Sequence, residues 1–326
     1  MTSGELVDAT RLSAWLDAHG WEQGRPMTVQ RLPGGTSNEM FIVDRGSSRS
    51  VLRRPAGVAL QRANEGMRRE YRILAALEGT AVPHPAALAL CEDTDVLGAA
   101  FYLMEHIEGV HPVPIPPALD DDASRAQVSF SMIEALAALH EVDWQRAGIA
   151  DLGHPDQFHE RQAARWSRQL ASYEGRELPG FQRVADWLAQ NRPVGFVPGL
   201  MHGDYHMRNA LVAPDAPGRV VAILDWETAT IGDPLLDVAG FCEVWCAGTG
   251  EGWPTKAALI EHYAKSRRLE SVPDLRYYEV LYNFRLAVLV EGIYQRSLRD
   301  LTRPVQENSG RRAIVNITRA GELAGV

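Results

Sequence analysis

The chemistry-bearing stretch of this chain is Met201-His202-Gly203-Asp204-Tyr205-His206-Met207-Arg208-Asn209, with Ile223-Leu224-Asp225-Trp226-Glu227 after it. The spacing His-x-Asp-x-x-x-x-Asn is that of a kinase catalytic loop, in which an aspartate accepts a hydroxyl proton and an asparagine holds Mg²⁺. Asp225 follows the apolar run Val220-Val221-Ala222-Ile223-Leu224. It supplies a second hard oxygen donor for the same cation. Phosphoryl transfer needs these groups because its catalysis is mostly positioning and neutralisation of phosphate charge. A lone Asp or Asn before a strand is usually a turn former. Here the base, the asparagine and the second aspartate stand in working order.

Something must bring Asn209 and Asp225 together. Ala210-Leu211-Val212 and Val220 to Leu224 read as two short strands around the turn Pro214-Asp215-Ala216-Pro217-Gly218. Their hairpin would leave both residues at one end. Upstream, Thr28 to Leu32 and Met40 to Val43 read as strands flanking Pro33-Gly34-Gly35-Thr36-Ser37-Asn38. A glycine-rich connection lets backbone N–H groups approach phosphate oxygens, although two glycines between strands also make an ordinary hairpin turn. Residues 34 to 38 are therefore the candidate phosphate cover.

The next strand, Ser50-Val51-Leu52-Arg53, stands where kinases place a phosphate-binding lysine paired with a helical glutamate. Here the position is Arg53, and no lysine precedes Lys256. Arginine keeps the charge but is longer, planar and bidentate. Glu65 to Leu77 has helical period, with Met67, Tyr71, Leu74 and Leu77 on one stripe and Glu70 on the same face. A carboxylate facing the buried side needs a cation. Arg53 is the candidate, whereas Glu65 falls off the stripe. Ala86 to Cys91 and Ala99 to Met104 complete a five-stranded sheet. Phe181 to Leu188 leads on to the catalytic hairpin, and helices are expected over Asp8–Ala18, Asp122–His140, Glu160–Leu170, Thr255–Arg268, Asp274–Asp300 and Gln306–Leu323. On the third of these, Arg161, Arg165 and Arg168 share a face.

HGDYHMRN, ILDWE and Gly232-Asp233-Pro234-Leu235-Leu236-Asp237 resemble the aminoglycoside phosphotransferase and choline kinase superfamily. Val51 to Pro55, Arg69-Glu70-Tyr71-Arg72, Arg161-Gln162, Arg165-Trp166 and LDWE are similar to the phosphotransferase-like domain associated with acyl-CoA dehydrogenases. The resemblance is dense over residues 30 to 245 and implies an α+β, bilobal, protein-kinase-like fold. A small N-lobe with a five-stranded antiparallel sheet (1–107) would bind nucleotide. A larger, mainly helical C-lobe (108–326) would carry catalysis and bind substrate. It also implies that Glu105, His106 and Ile107 form the adenine-reading hinge, that Asp237 braces the catalytic loop, and that Arg161, Arg165 and Arg168 contact an anionic substrate.

At 326 residues, 45% hydrophobic and 23% charged, the composition is that of a soluble globular chain. The net charge of −9 argues against general nucleic-acid binding. No apolar span is long enough for a membrane, and the first residues lack a basic segment leading into an apolar core. Cys91, Cys242 and Cys246 include no C-x-x-C pair, which fits a reducing cytoplasm. The resulting expectation is a cytoplasmic, ATP- and Mg²⁺-dependent O-kinase for a small hydroxylated molecule. A hydroxyacyl-CoA or hydroxy acid is favoured, with a functional link to an acyl-CoA dehydrogenase. One alternative is an aminoglycoside acceptor, which as a polycation wants clustered acids. Another is a nucleotide-binding module without transfer activity. The absent strand lysine motivates it, and the joint presence of Asp204, Asn209 and Asp225 opposes it.

Overall fold

The computed structural model describes residues 6–33, 38–56, 61–117, 120–216, 218–300 and 304–326, without the side chains of 246–248. In chain order the described elements begin with helix α1 (Ala9–Ala18) and strands β1 (Met27–Leu32), β2 (Asn38–Arg45) and β3 (Ser48–Pro55). Helix α2 (Gln61–Leu77), β4 (Ala87–Cys91), the short α3 (Thr94–Leu97) and β5 (Phe101–Glu105) follow. Then come α4 (Asp122–His140), α5 (Phe158–Ala171), α6 (Phe181–Gln190), β6 (Gly199–Met201), β7 (Ala210–Val212), β8 (Val220–Ile223) and β9 (Thr230–Gly232). Helices α7 (Leu235–Gly248), α8 (Lys256–Ser266), α9 (Arg276–Arg299) and α10 (Glu307–Ala324) close the chain.

By packing, the chain forms two compact units: residues 1–131, 142–152 and 207–229, and residues 132–141, 153–206 and 230–326. The β7–β8 hairpin groups with the N-terminal sheet in the first unit. Val110 and Val212 exchange backbone hydrogen bonds at 2.9 Å, and the Ile223 N–H donates to Pro83 O at 2.8 Å.

The first unit is built on an antiparallel sheet of order β1-β2-β3-β5-β4. Directly opposed residues in such a sheet share a face. Phe41, Leu52 and Leu103 are register partners, as are Met40, Arg53 and Tyr102. The first set packs with Val43, Cys91 and Phe101 against Leu12 and Leu16 of α1. That helix is capped by Asp8, whose Oδ1 accepts the Thr10 and Arg11 N–H groups at 2.9 and 3.0 Å. The second set therefore lies on the opposite face, to which α2 turns its stripe. The buried residues of α2 are Met67, Glu70, Ile73, Leu74 and Leu77, with Ile73 taking the place expected for Tyr71.

The second unit is helical apart from the two-stranded β6–β9 ladder, which has no signature in the sequence. Long helix α9 is its spine and packs against α5, α6, α7 and α10. Among the described residues, no helix is long and apolar enough to cross a membrane.

Candidate functional site

Two clusters of chemistry-bearing side chains emerge, one in each unit. In the first, strand register puts Arg53 beside Tyr102 and α2 presents Glu70 to both. The Arg53 Nε lies 3.0 Å from Glu70 Oε2, and the Tyr102 hydroxyl donates to that oxygen at 3.0 Å. The same guanidinium uses Nη2 on Asp225 Oδ1 at 2.8 Å, with Glu227 Oε2 at 3.9 Å. Burial pushes the Glu70 carboxyl up to about 7 against the opposing pull of Arg53 and the Tyr102 hydroxyl. Burial works against the Arg53 charge too, but Glu70, Tyr102 and Asp225 together raise its pKa above the ordinary value.

The hairpin brings Asn209 and Asp225 to one end, since the Leu224 N–H donates to Asn209 O at 2.8 Å just beyond the Ala210–Ile223 pairing. Asp225 has a left-handed backbone, φ 66°, unusual for a residue with a Cβ. Both residues are half-buried, and they line a cavity of about 380 Å³ with Asn38, Met40, Arg53 and Tyr102. A carboxylate and an amide oxygen form a donor pair suited to Mg²⁺. Gly34, Gly35, Thr36 and Ser37 lie outside the described residues, whereas Asn38 opens β2 in the cavity wall. Met104 and His111 line the cavity from either side of Glu105, His106 and Ile107, which do not contribute to its lining. Glu105 ends β5, where its N–H donates to Ala86 O at 2.9 Å, and His106 and Ile107 follow it out of the sheet.

In the second unit, Asp237 holds the loop that carries Asp204. Its carboxylate accepts the His202 N–H at 2.6 Å and the Gly203 N–H at 3.0 Å. Gly203 has φ 81°, a turn that favours glycine. Asp204 Oδ2 faces His206 Nε2 at 3.5 Å. Burial resists ionisation of Asp204, but His206, His202 and Arg285 outweigh it and hold the carboxyl below its ordinary value. Asp237 is 4% exposed, so Asp237→Ala would strand two buried N–H groups. A loss of roughly 2–4 kcal/mol is expected. Urea unfolding of the variant would measure it, and an unchanged midpoint would remove the bracing role.

Residues 28–269 match the phosphotransferase enzyme family. The chain belongs to that family. This phosphotransferase is 30% identical over 312 residues to human acyl-CoA dehydrogenase family member 11, a match covering 89% of this chain and 40% of that protein. It thus spans less than half the length of that relative. A Ralstonia eutropha JMP134 crystal structure, solved as a candidate aminoglycoside phosphotransferase, superposes with a TM-score of 0.86 at 30% identity over 98% of both chains. The aminoglycoside 2'-phosphotransferase-IIIa, in complex with GDP, shares the fold at 15% identity. Its TM-score is 0.65 over 98% of this chain and 99% of that one. The expected protein-kinase-like α+β fold is the fold found.

On α5, Arg161, Arg165 and Arg168 are all exposed, and Arg161 donates to the backbone carbonyls of Asp156 and His154. Arg165 lies over Trp166 at 5.1 Å from the ring centroid. Four further residues belong to one or other cluster. Tyr102 is set opposite Arg53 by strand register, which the sequence did not reveal, and Glu227 is the acid two residues after Asp225. Arg69 donates to the carbonyls of Leu152, Glu227 and Ala229, tying α2 to the segment beyond Asp225. Arg285 donates to Gly203 O at 2.6 Å and had no sequence signal.

Proposed function

We propose that this phosphotransferase is an ATP- and Mg²⁺-dependent O-kinase whose acceptor is a small hydroxylated anion, a hydroxyacyl-CoA or hydroxy acid. In this reading Arg53, oriented by Glu70, binds nucleotide phosphates. Asn209 and Asp225 would hold Mg²⁺, which when bound neutralises phosphate charge. Residues 34–38 cover the phosphates, and the backbone of residues 105–107 receives the adenine. Asp204, kept ionised by its neighbours, takes the proton of the acceptor hydroxyl. Residues 1–107 then serve the nucleotide and 108–326 the chemistry and the acceptor, a division of roles.

The observation that carries the reading is the two-armed grip of Arg53 on Glu70 and Asp225, in the wall of a cavity that also contains Asn209. A side chain held between a helical glutamate and a proposed metal ligand supports a phosphate-binding role for Arg53. The relatives' acyl-CoA dehydrogenase name supports an acceptor from thioester metabolism, and a functional link to such a dehydrogenase is part of the proposal. The test is an ATP-consumption screen of hydroxyacyl-CoAs and hydroxy acids against aminoglycosides and amino alcohols. Consumption with kanamycin alone would overturn the acceptor class, and no consumption with any acceptor would overturn the kinase. Asp225→Ala is expected to abolish Mg²⁺-dependent ATP binding, because it removes the charged metal ligand. Equal Mg·ATP affinity in variant and parent by calorimetry would reject the metal assignment.

A further inference from the structure

This chain carries 42 acidic residues, yet two arginines near the catalytic loop meet on an aromatic ring instead of on a carboxylate. Trp166 of α5 is buried, and two guanidiniums share its ring: Arg165 at 5.1 Å from the centroid and Arg285 of α9 at 5.7 Å. Both distances lie within cation–π range. Among the described residues, neither arginine forms an ion pair with a carboxylate. Arg285 instead spends Nη2 on Gly203 O, at 2.6 Å, immediately before Asp204. Desolvation lowers the Arg165 pKa, and the positive neighbours Arg285 and Arg161 lower it further. Arg285 acts on Asp204 through space, and Arg165 is exposed at the surface. Two like charges on one aromatic ring, neither in direct contact with a carboxylate among the described residues, thus leave guanidinium donors available to an incoming anion.

We propose that Arg165 and Arg285, sharing Trp166, form an anion seat that selects the acceptor by a carboxylate or phosphate group it carries. Planar guanidiniums suit either group, because each presents paired N–H donors to paired oxygens. Arg285 has a second task as a positioning residue. Its bond to Gly203 O links occupancy of the seat to the placement of Asp204, so an acceptor without the anion would be held less well at the base. The seat rests on the O-kinase reading and sharpens it, assigning acceptor choice to residues remote in sequence from the catalytic motif. It keeps Arg165 of the α5 arginines and adds Arg285 from α9 to it.

The test is calorimetric titration of the full chain with coenzyme A, with 3-hydroxybutyrate and with kanamycin, using the parent, Arg165→Ala and Arg285→Lys. At least one anion should bind the parent, and Arg165→Ala should weaken it on the order of tenfold or more. Its Mg·ATP affinity and thermal midpoint should stay unchanged. Arg285→Lys keeps the charge but loses the planar stack, and should weaken the same anion while raising KM for the acceptor more than KM for ATP. A loss confined to coenzyme A identifies phosphate as the group received, and one confined to 3-hydroxybutyrate identifies carboxylate. The seat is overturned if kanamycin binds the parent more tightly than either anion. It is also overturned if no anion binds, or if folded Arg165→Ala binds the anions as the parent does. Mg·ATP titration of the parent separates the two readings: its failure removes the kinase, whereas failure of the anion arm alone removes only the seat.

Discussion

Asp204→Asn is expected to lose turnover on the order of 10²-fold or more, the range for removing a general base, while binding Mg·ATP as the parent does. Asparagine nearly preserves the shape of the side chain. The loop backbone is held independently by Asp237, through the N–H groups of His202 and Gly203. What disappears is a carboxylate that His206, His202 and Arg285 keep ionised despite burial. Because those neighbours hold the Asp204 carboxyl below the ordinary aspartate range, the acid limb of the parent's rate profile should fall at lower pH than an unperturbed aspartate would give. Steady-state rates with an accepted hydroxylated substrate, alongside ATP calorimetry, measure both halves. Near-normal turnover in the variant would take the base role away from Asp204.

Breaking the Arg53–Glu70 pair should cost both stability and nucleotide binding. The two side chains are 8% and 2% exposed, so Glu70→Ala leaves a buried guanidinium without its interior partner. Loss of one member of a buried ion pair costs roughly 3 kcal/mol or more, because the remaining charge stays desolvated. Urea unfolding should show that loss, and ATP affinity should fall because nothing holds the guanidinium on the helix side. Arg53→Lys asks a different question. Arginine serves Glu70 through Nε and Asp225 through Nη2 at once, whereas a lysine offers a single nitrogen. We expect Arg53→Lys to bind ATP more weakly than the parent and more tightly than Arg53→Ala. A silent lysine variant would mean that the site needs only charge, and that arginine here reflects a chain in which just Lys256 and Lys265 are lysine.

Much of this architecture is local and therefore readable from sequence. Helical period exposes Glu70 as an acid on an apolar stripe, and strand alternation with short turns exposes the five strands and the β7–β8 hairpin. These patterns arise because side-chain direction repeats every 3.6 residues in a helix and every two in a strand. The motif that carries Asp204, Asn209 and Asp225 is equally local, since one loop and one hairpin supply all three. Register is another matter. That Arg53 stands opposite Tyr102, and that one guanidinium spans Glu70 and Asp225, depends on strand pairings and on a hairpin remote in sequence from β3. Ladder β6–β9 joins strands too short to show alternation. Arg285 is the clearest case. On α9 it is one arginine among many, and only the packing of α5 and α9 around Trp166 sets it against the carbonyl of Gly203. Sequence periodicity determined which faces are buried. Tertiary structure decided which charges meet, because long-range packing chooses each buried charge's partner and its cost without one.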